Sequence, residues 1–357
     1  MGVSISAPIW LKTIADRVEA HLAAFLGDEQ SRWSRLDSEL GEPIGELLRL
    51  VSAGGKRLRP AFCELAFVGV GGNEGSKSLL EAQTALELLH ASALFHDDII
   101  DGSTLRRGEP TSHLRFEDKH RDSSWAGETR RFGEGAAILV GDLAFVYADQ
   151  MMSNQNQLTK RIWDEMRVEV NIGQYLDLIG TAKRERKLDK AERVSRFKSG
   201  KYTVERPLHL GASIFAPERA DELFEQLSAI GLPLGDAFQM RDDILGAFGD
   251  QLSSRTGKPI GDDLREGKPT PLLALAFERA TSSQRDVLGR VGDPNLSSEN
   301  ILEIQQVIIE SGALGVLESR IGLLVDQSIA AIDASSLSKT ATERLIELAE
   351  FVVARNI

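Results

Sequence analysis

The sequence lacks the features that mark extracellular and strand-rich proteins. Its 357 residues include a single cysteine, Cys63, so no disulfide can form within the chain, and a reducing compartment such as the cytoplasm is the simplest expectation. The alternation of apolar and polar residues that is typical of strands is nearly absent. The sequence therefore predicts neither a disulfide scaffold nor a β-sandwich or barrel.

Long apolar runs and excess positive charge are also missing. No apolar run reaches the ~18 residues of a membrane span, and no signal peptide precedes the first helical segment, so we expect no transmembrane segment. The chain carries 54 acids and 42 bases, a net charge of −12. That charge argues against nucleic acid or an anionic membrane as the main partner. An anionic ligand would have to be bound by local basic residues.

Helical periodicity fills most of the chain. Apolar residues recur at helical spacing over 9–26, 43–52, 58–70, 77–100, 134–152, 158–182, 188–211, 218–246, 268–282, 299–311, 314–333 and 338–354. Segment 116–133 is polar and irregular, which predicts an exposed loop. No composition shift marks a boundary, so we predict that residues 1–357 form one all-α domain. The acidic helix ends described next should face one central cavity.

Residues 96–113, HDDIIDGSTLRRGEPTSH, contain an unusual group of charges. Asp97 and Asp98 end an apolar helix, and Asp101 lies four residues after Asp97, on the same helix face. Acids at this spacing repel each other and oppose the helix dipole, and a divalent cation would remove both conflicts. Oxygen ligands favour Mg²⁺ held together with substrate phosphates, and paired arginines suit phosphate. The stretch predicts a diphosphate site; the alternative is a solvated acidic helix end followed by a basic turn.

The second half of the chain repeats this arrangement. Residues 238–250, FQMRDDILGAFGD, end an apolar helix in Asp242 and Asp243, and GKPIGDDLREGK then supplies Lys258 and Lys268. Two carboxylate clusters facing each other could hold several metal ions around one diphosphate.

A third charged group begins an earlier helix. In GGKRLRP, Lys56, Arg57 and Arg59 crowd a helix start, where cations oppose the dipole, so an anion would explain them. His90 lies seven residues before Asp97, about two turns back on the same stripe. Its alternative role is that of a hydrogen-bonded core histidine.

The ordered set of motifs resembles the trans-isoprenyl diphosphate synthases, or polyprenyl synthetases, in particular the actinobacterial geranylgeranyl and farnesyl diphosphate synthases. The matching motifs are GGKRLRP, HDDIID with the arginine pair Arg106–Arg107, GQYLDL, KSGKY, FQMRDD and GKPIGDDLREGK, in the family's order from residue 54 to residue 268. The resemblance implies a helical domain of the isoprenoid synthase type, a homodimer, and Mg²⁺-dependent head-to-tail (1′-4) condensation. The substrates would be isopentenyl diphosphate and an allylic diphosphate (dimethylallyl, geranyl or farnesyl), with three Mg²⁺ ions that Mn²⁺ can replace.

The resemblance also implies individual roles. The direct metal ligands would be Asp97, Asp101 and Asp242, with Asp98 and Asp243 in the outer shell. Isopentenyl diphosphate would be bound by Lys56, Arg59, His90 and Arg107. The allylic diphosphate would be surrounded by Arg106, Lys198, Lys258 and Lys268, and the catalytic set would also include Ser199 and Gln239, facing the carbocation.

Three further positions are less clear from the sequence. The family's second motif reads DDxxD, but here its third position is Gly246, which puts only a peripheral, water-mediated role in doubt. The family places Gln174 and Asp177 in the cavity wall; the alternative is a polar pair on a helix surface. Asp262 and Asp263 are expected to order the lysine-bearing loop, and we do not assign them to metal.

Helix geometry gives an expectation for product length. If the allylic tail runs back along the helix from Asp97, the small residues Ser92 and Ala93, about 6–8 Å back from Asp97, leave the cavity open. Leu89 and Leu86, about 12 Å and 16–17 Å back, could form the floor for four isoprene units. Geranylgeranyl diphosphate is therefore the expected product, and farnesyl or a longer diphosphate is the alternative. Two other readings are a terpene cyclase, which needs no isopentenyl site, and a non-catalytic partner subunit, which tends to lose the acidic clusters.

Overall fold

The structure, a computed structural model, describes residues 7–249 and 260–354. These residues are almost entirely helical, which confirms the predicted all-α class. The helices are α1 (Ile9–Ser34), α2 (Glu42–Ser52), α3 (Leu58–Gly69), α4 (Lys77–Ile100), α5 (Ser112–Asp122), α6 (Thr129–Met152), α7 (Gln157–Ala182), α8 (Leu188–Ser195), α9 (Arg206–Phe215), α10 (Ala220–Phe248), α11 (Asp262–Glu266), α12 (Pro271–Arg279), α13 (Ser282–Leu288), α14 (Ser298–Glu310), α15 (Ala313–Asp333) and α16 (Lys339–Val353). A π-helical segment (Arg196–Glu205) joins α8 to α9, and short 3₁₀ turns cover Ser38–Gly41 and Pro217–Arg219. Strands β1 (Leu105–Arg106) and β2 (Glu109–Pro110) pair antiparallel.

The prediction of an exposed loop over 116–133 is wrong, because α5 and α6 cover most of this segment. Its polar residues form helix-spaced ion pairs, including one of 2.8 Å between Arg121 and Glu117. His120 is buried, and its ring lies 5.0 Å from that of Phe132 on the next helix. The segment is polar because much of its surface faces solvent, not because it lacks regular structure.

Other boundaries differ from the periodicity in smaller ways. The predicted helix over 188–211 is divided into α8, the π-helical segment and α9. Helix α13, which the periodicity does not predict, begins at a capping box formed by Thr281 and Gln284. In seven residues there is little room for a periodic apolar stripe, so its cap is the clearer signal in the sequence.

Helix α10 passes through both hydrophobic clusters of the described chain. Its first half, with Leu227 and Leu234, joins the larger cluster formed mainly by α1–α4, α6, α7, α9 and α16. Its second half, with Met240 and Ile244, joins the cluster formed with α11–α15. This packing fixes the acidic end of α10 in space. The expectation that residues 1–357 form one domain stays a prediction.

Helix α6 qualifies the expectation that no segment has the length and composition of a membrane span. Among the described residues, Thr129–Met152 alone meets both criteria, and 39% of its apolar window is buried inside the structure. A core helix of a soluble protein also meets these criteria, and α6 packs against α4 and α5. The helix is thus weak support for a membrane span.

Candidate active site

The acidic ends of α4 and α10 line one cavity. Its wall includes Asp97 from α4, Lys198 from the π-helical segment, Asp242 and Asp243 from α10, and Asp263 and Lys268 from α11 and the loop after it. The two motifs lie 145 positions apart in sequence (242 − 97). The structure thus brings together the two carboxylate clusters that the sequence predicts should face each other.

Glycines allow the π-helical segment to approach this cavity closely. A Cβ atom at Gly173 of α7 would overlap the backbone nitrogen of Lys198, and one at Gly235 of α10 would lie 2.5 Å from the carbonyl oxygen of Gly200. Only residues without a side chain fit at these two contacts. π-Helical insertions of this kind occur frequently at functional sites. Here the insertion places Lys198 between α4 and α7.

Lys198 bridges two carboxylates from different helices. Its Nζ lies 3.0 Å from Asp97 Oδ1 and 2.6 Å from Asp177 Oδ2, and Gln174 Nε2 donates to Asp97 Oδ1 over 3.0 Å. Burial raises the pKa of Asp97, but the charges of Lys198, Lys268 and Arg106 outweigh it and lower that pKa well below its usual range. Asp97 is therefore ionised at neutral pH. Asp177 belongs to the wall of this cavity, and Gln174 lines an adjoining pocket that shares Asp177 and Lys268 with it, so the two are not a surface pair.

Lys268 likewise bridges carboxylates, here Asp101 of the first motif and Glu266 of α11. Its Nζ lies 2.9 Å from Asp101 Oδ2, 2.7 Å from Glu266 Oε2 and 3.7 Å from Asp263 Oδ1. Burial lowers the pKa of this ammonium, but Asp263, Asp101 and Glu266 outweigh it and raise the pKa well above its ordinary value. Lys268 is therefore a permanent cation at the cavity.

Asp98 is paired with an arginine from the following hairpin. Arg106 donates to Asp98 Oδ1 from both Nε, at 2.9 Å, and a terminal nitrogen. The same guanidinium lies 3.8 Å from Asp97 Oδ2. Asp98 is almost completely buried, so its carboxylate holds Arg106 in place beside the cavity.

Asp243 is the most deeply buried acid of the second motif, with 4% of its surface exposed. Gln239 donates to its Oδ1 over 2.8 Å, whereas its Oδ2 is buried without a hydrogen-bond partner in the described part of the chain. Burial and the neighbouring charges of Asp263 and Asp242 raise the pKa of Asp243 well above its ordinary value. Among the described residues, Asp242, Asp243 and Asp263 lie together at this cavity, and a metal cation would offset their negative charge.

The donor set fits a hard divalent cation that is shared with a phosphate ligand. Every candidate ligand is a carboxylate, the oxygen donor that Mg²⁺ prefers. Within residues 7–249 and 260–354, no group of three His, Cys, Asp or Glu residues is close enough to hold a metal ion by itself. Phosphate oxygens or water would therefore complete the coordination, as is usual for Mg²⁺.

The basic residues of GGKRLRP divide into two kinds. Arg57 has a left-handed backbone conformation (φ 49°) and is 4% exposed, with ion pairs to Glu87 and, over 3.1 Å, to Glu19. It therefore acts in packing. Lys56 is exposed, with its Nζ 5.3 Å from the ring of Phe351. Arg59 is partly buried. Arg59 and Lys56 therefore remain candidates for binding an anion.

His90 lies among arginines two turns before Asp97. Burial and the charges of Arg59, Arg107 and Arg57 lower its pKa well below the ordinary value, so the imidazole is neutral. Burial and the charge of Arg57 also lower the pKa of Arg107, which donates to the backbone oxygen of Leu50 over 3.3 Å. Cations that repel each other in this way form a binding site for an anion.

Tyr202 and Thr203, for which the sequence predicts no role, connect the residues of this basic group. The hydroxyl of Tyr202 lies 2.6 Å from His90 Nδ1, and its ring lies 4.2 Å from the guanidinium carbon of Arg59. Arg59 also donates to Thr203 Oγ1 over 3.0 Å. Tyr202 is the last residue of the KSGKY motif, and its place in that motif was the sequence signal that could have indicated a role for it.

The remaining predicted site residues lie as follows. Ser199 and Gln239 line the cavity. Leu86, Leu89 and Ser92 are buried in or beside the main core, and Ala93 is partly exposed on the same side of α4 as Asp97. Lys258 lies outside the described residues.

Comparisons with known proteins agree with this fold. Residues 43–308 match the family described as Polyprenyl synthetase. The geranylfarnesyl diphosphate synthase of Aeropyrum pernix is 30% identical over 326 residues, 87% of this chain and 93% of that protein. The geranylgeranyl diphosphate synthase of Methanosarcina mazei is 31% identical over 315 residues, 86% of this chain and 87% of that protein.

A solved structure matches nearly the whole chain. The geranylgeranyl pyrophosphate synthase from Corynebacterium glutamicum, solved with isoprenyl diphosphate and magnesium, superposes with a TM-score of 0.90 at 35% identity, covering 99% of this chain and 100% of that one. The fold and site define an all-helical enzyme of the isoprenyl diphosphate synthase class. The chain belongs to the polyprenyl synthetase family. The predictions of family and of a prenyl-transferring enzyme are confirmed.

Proposed function

We propose that the protein is a Mg²⁺-dependent, head-to-tail (1′-4) prenyltransferase that joins isopentenyl diphosphate to an allylic diphosphate and makes geranylgeranyl diphosphate. The observation that carries the proposal is the layout of α4. Its acidic end, at Asp97, faces a cavity shared with α10. Two turns earlier, His90 lies in a separate group of arginines. Helix α4 thus contributes residues to two sites, one for the diphosphate of the allylic substrate and one for that of isopentenyl diphosphate.

The acidic cavity suits the allylic substrate, whose C–O bond must ionise. Mg²⁺ ions, when bound, neutralise the negative charge that grows on the leaving diphosphate. Asp97, Asp101 and Asp242 would hold these ions, with Asp98 and Asp243 behind them. Arg106, Lys198 and Lys268 place fixed positive charges at the same cavity, and Lys258 is proposed to join them. Ser199 and Gln239 line the wall where the carbocation would form.

The basic group suits isopentenyl diphosphate, which keeps its diphosphate through the reaction. Lys56, Arg59 and Arg107 would bind it by charge, and neutral His90 by a hydrogen bond. His90 Nδ1 is already engaged by the hydroxyl of Tyr202 over 2.6 Å, so the ring orientation is fixed. Catalysis would then depend on positioning, charge neutralisation and exclusion of water from the cation.

Purified protein, Mg²⁺, radiolabelled isopentenyl diphosphate and each allylic starter test this function. We expect labelled allylic products that increase in length, with one inorganic diphosphate released per condensation. Diphosphate release from an allylic substrate without isopentenyl diphosphate would indicate a terpene cyclase. No release from any substrate would indicate a non-catalytic partner subunit.

Product length needs its own test, because the relatives are named for products of different length. Ala93 is partly exposed on the Asp97 side of α4, while Leu89 and Leu86 are buried further back. Ala93→Phe should fill the tail channel and shorten the main product from 20 to 15 carbons, measured by chromatography of the dephosphorylated products. Leu94→Phe, one residue off the stripe, is the control and should keep the product. An unchanged 20-carbon product from Ala93→Phe would contradict this tail path, and a wild-type product of another length would contradict the proposed geranylgeranyl product.

We also propose a homodimer in the cytoplasm. Leu139 and Val146 on α6, and Ile172 and Tyr175 on α7, are large side chains with about half or more of their surface exposed. An apolar area of this kind indicates a protein interface.

A further inference from the structure

We propose that Glu169 of α7 is a positioning residue that holds the π-helical segment in its register and thereby places side chains of both diphosphate sites. Glu169 lines neither pocket of the candidate active site and lies outside the sequence motifs. The proposal rests on the proposed prenyltransferase function, which defines the two sites.

The π-helical segment carries residues of both sites. Lys198 lies 3.0 Å from a carboxylate oxygen of the first acidic motif. Further along the segment, the hydroxyl of Tyr202 lies 2.6 Å from His90 Nδ1, and Thr203 accepts a hydrogen bond from Arg59 over 3.0 Å. A change of register in this segment would therefore displace contacts at both sites together.

The backbone and Glu169 connect the same two residues of this region. The backbone N–H of Arg206 donates to the carbonyl oxygen of Lys201, five positions earlier, which is the hydrogen bond of a π-helix. The Glu169 carboxylate accepts from the ammonium of Lys201 and from two nitrogens of Arg206, over 2.6 Å and 2.7 Å. In an α-helix, side chains five positions apart point about 140° apart around the axis. Holding both of these side chains on one carboxylate therefore favours the π-helical register.

Glu169 belongs to a face of α7 that contacts both ends of the segment. Glu169, Gly173 and Asp177 are spaced four residues apart and share this face. Asp177 accepts from the ammonium of Lys198 over 2.6 Å, and a Cβ atom at Gly173 would lie 2.3 Å from the Lys198 backbone nitrogen. These two residues fix the start of the segment, and Glu169 fixes its end.

An α-helical alternative is present beside Glu169. Lys201 Nζ also lies 3.8 Å from Glu205 Oε2, four positions later, which is the spacing of an ion pair on an α-helix. Glu169 is 5% exposed; burial raises its pKa, but Arg206 and Lys201 outweigh burial and lower that pKa below the ordinary value. Its ionised carboxylate thus keeps Lys201 in the π-helical arrangement. Without that charge, Lys201 would pair with Glu205 and the α-helical register would gain.

Hydrogen exchange of the ligand-free protein tests the register independently of turnover. Glu169→Gln keeps the side-chain size and removes the charge, so backbone amides of 196–206 should exchange about tenfold faster or more, measured by mass spectrometry. Glu64→Gln on α3 is the matched control, because Glu64 is 1% exposed, pairs with Arg17 and accepts from Gln83 over 2.7 Å. It removes a buried charge elsewhere and should change exchange in 196–206 less than about threefold.

Steady-state kinetics test the consequence for the two sites. Glu169→Gln should raise KM for isopentenyl diphosphate and KM for the allylic substrate about tenfold each, and lower kcat about 10- to 100-fold, because displaced positioning groups are costly. Glu64→Gln should change all three constants less than about threefold, even if urea unfolding shows the same loss of stability in both variants. A residue with only a structural role would not separate the two variants in this way.

Lys201→Met makes the test specific, because it removes one donor to Glu169 and leaves Arg206. It should change exchange and kinetics in the same direction but less, and the double variant with Glu169→Gln should be no worse than Glu169→Gln alone. Unchanged exchange in Glu169→Gln, a rise in only one KM, an equal effect of Glu64→Gln, or effects that multiply in the double variant would each overturn the proposal. If Glu169→Gln does not fold, wild-type exchange of 196–206 in Lys201→Met would overturn it. Failure of the proposed function would appear separately, as folded wild-type protein that forms no prenyl product.

Discussion

At the scale of single residues, cations of the protein stabilise the acids of the cavity. Lys198 connects Asp97 to Asp177, and Lys268 connects Asp101 to Glu266. Each lysine ammonium lies where two carboxylates make the electrostatic potential most negative. The same lysines would contact the substrate's phosphates once metal neutralises the acids.

Loss of one proposed metal ligand should strongly lower turnover without unfolding the protein. Asp97→Ala or Asp242→Ala should lower kcat about 10²- to 10³-fold or more, because the charges around the leaving group are misplaced. Steady-state diphosphate release measures this loss. Asp118→Ala, an exposed acid on α5, is the control and should retain wild-type kcat. Near-wild-type turnover of Asp97→Ala in Mg²⁺ would show that the metal cluster is wrongly assigned.

The basic residues of GGKRLRP should separate into binding and packing roles. Arg59→Ala and Lys56→Ala should raise KM for isopentenyl diphosphate about tenfold to a hundredfold, because a charge-assisted contact contributes roughly 1.5–3 kcal/mol. KM for the allylic substrate should change much less. Arg57→Ala breaks a buried pair with Glu87 and should instead lower the free energy of unfolding, by about 3–5 kcal/mol. Equal increases in both KM values would mean that the two diphosphate sites are merged or exchanged.

At the scale of helices, α9 and α10 are joined by a buried histidine. His209 is 3% exposed, its Nε2 lies 3.1 Å from Ser228 Oγ, and its ring stacks on Phe224 with centroids 4.6 Å apart. Burial, and next the charge of Arg206, lowers the pKa of His209 from 6.5 to about 3. The folded protein therefore holds this ring neutral, close to the π-helical segment that carries Lys198.

His209 should make the fold sensitive to acid. Its folded pKa lies below its unfolded value, so the stabilisation is complete above pH 6.5 and is lost as pH falls toward 3. Between pH 7.5 and pH 5 the loss attributable to this group should be about 2 kcal/mol. Urea unfolding at both pH values measures it, and His209→Gln should show a smaller loss by that amount. An identical pH dependence in the variant would contradict the assignment.

The helices and motif residues were predictable because their signals are local, whereas the contacts that join them are not. The apolar run before Asp97 predicted the acidic end of α4, and the repeat at Asp242 predicted the second cluster. No local pattern shows that Asp263 lies over Gly246, since α10 and α11 are separated by residues 249–261 and meet only in the fold. The polarity of α5 was misleading for a related reason, because its ion pairs stabilise a helix that periodicity alone does not reveal.

At the scale of the whole molecule, the surface of α6 and α7 is unusually apolar. Only 39% of the apolar window of α6 is buried, and Leu139 is 67% exposed. On α7, Val168, Ile172 and Tyr175 follow each other at helical spacing and are 52%, 48% and 62% exposed. A membrane would explain α6 alone, whereas a second copy of the chain would cover both helices.

A charge placed on this surface should dissociate the proposed dimer. Leu139→Asp puts a carboxylate into an apolar interface, where burial of an unpaired charge is costly, so we expect a monomer at micromolar concentration by light scattering coupled to size exclusion. Leu323→Asp on α15 is the matched control, since Leu323 is 63% exposed against 67% for Leu139, and it should leave the dimer intact. A wild-type monomer, or a dimer that persists in Leu139→Asp, would show that this surface is not the interface. Because α7 also carries Gln174 and Asp177 in the cavity wall, dissociation should lower turnover as well, whereas Leu323→Asp should leave turnover unchanged.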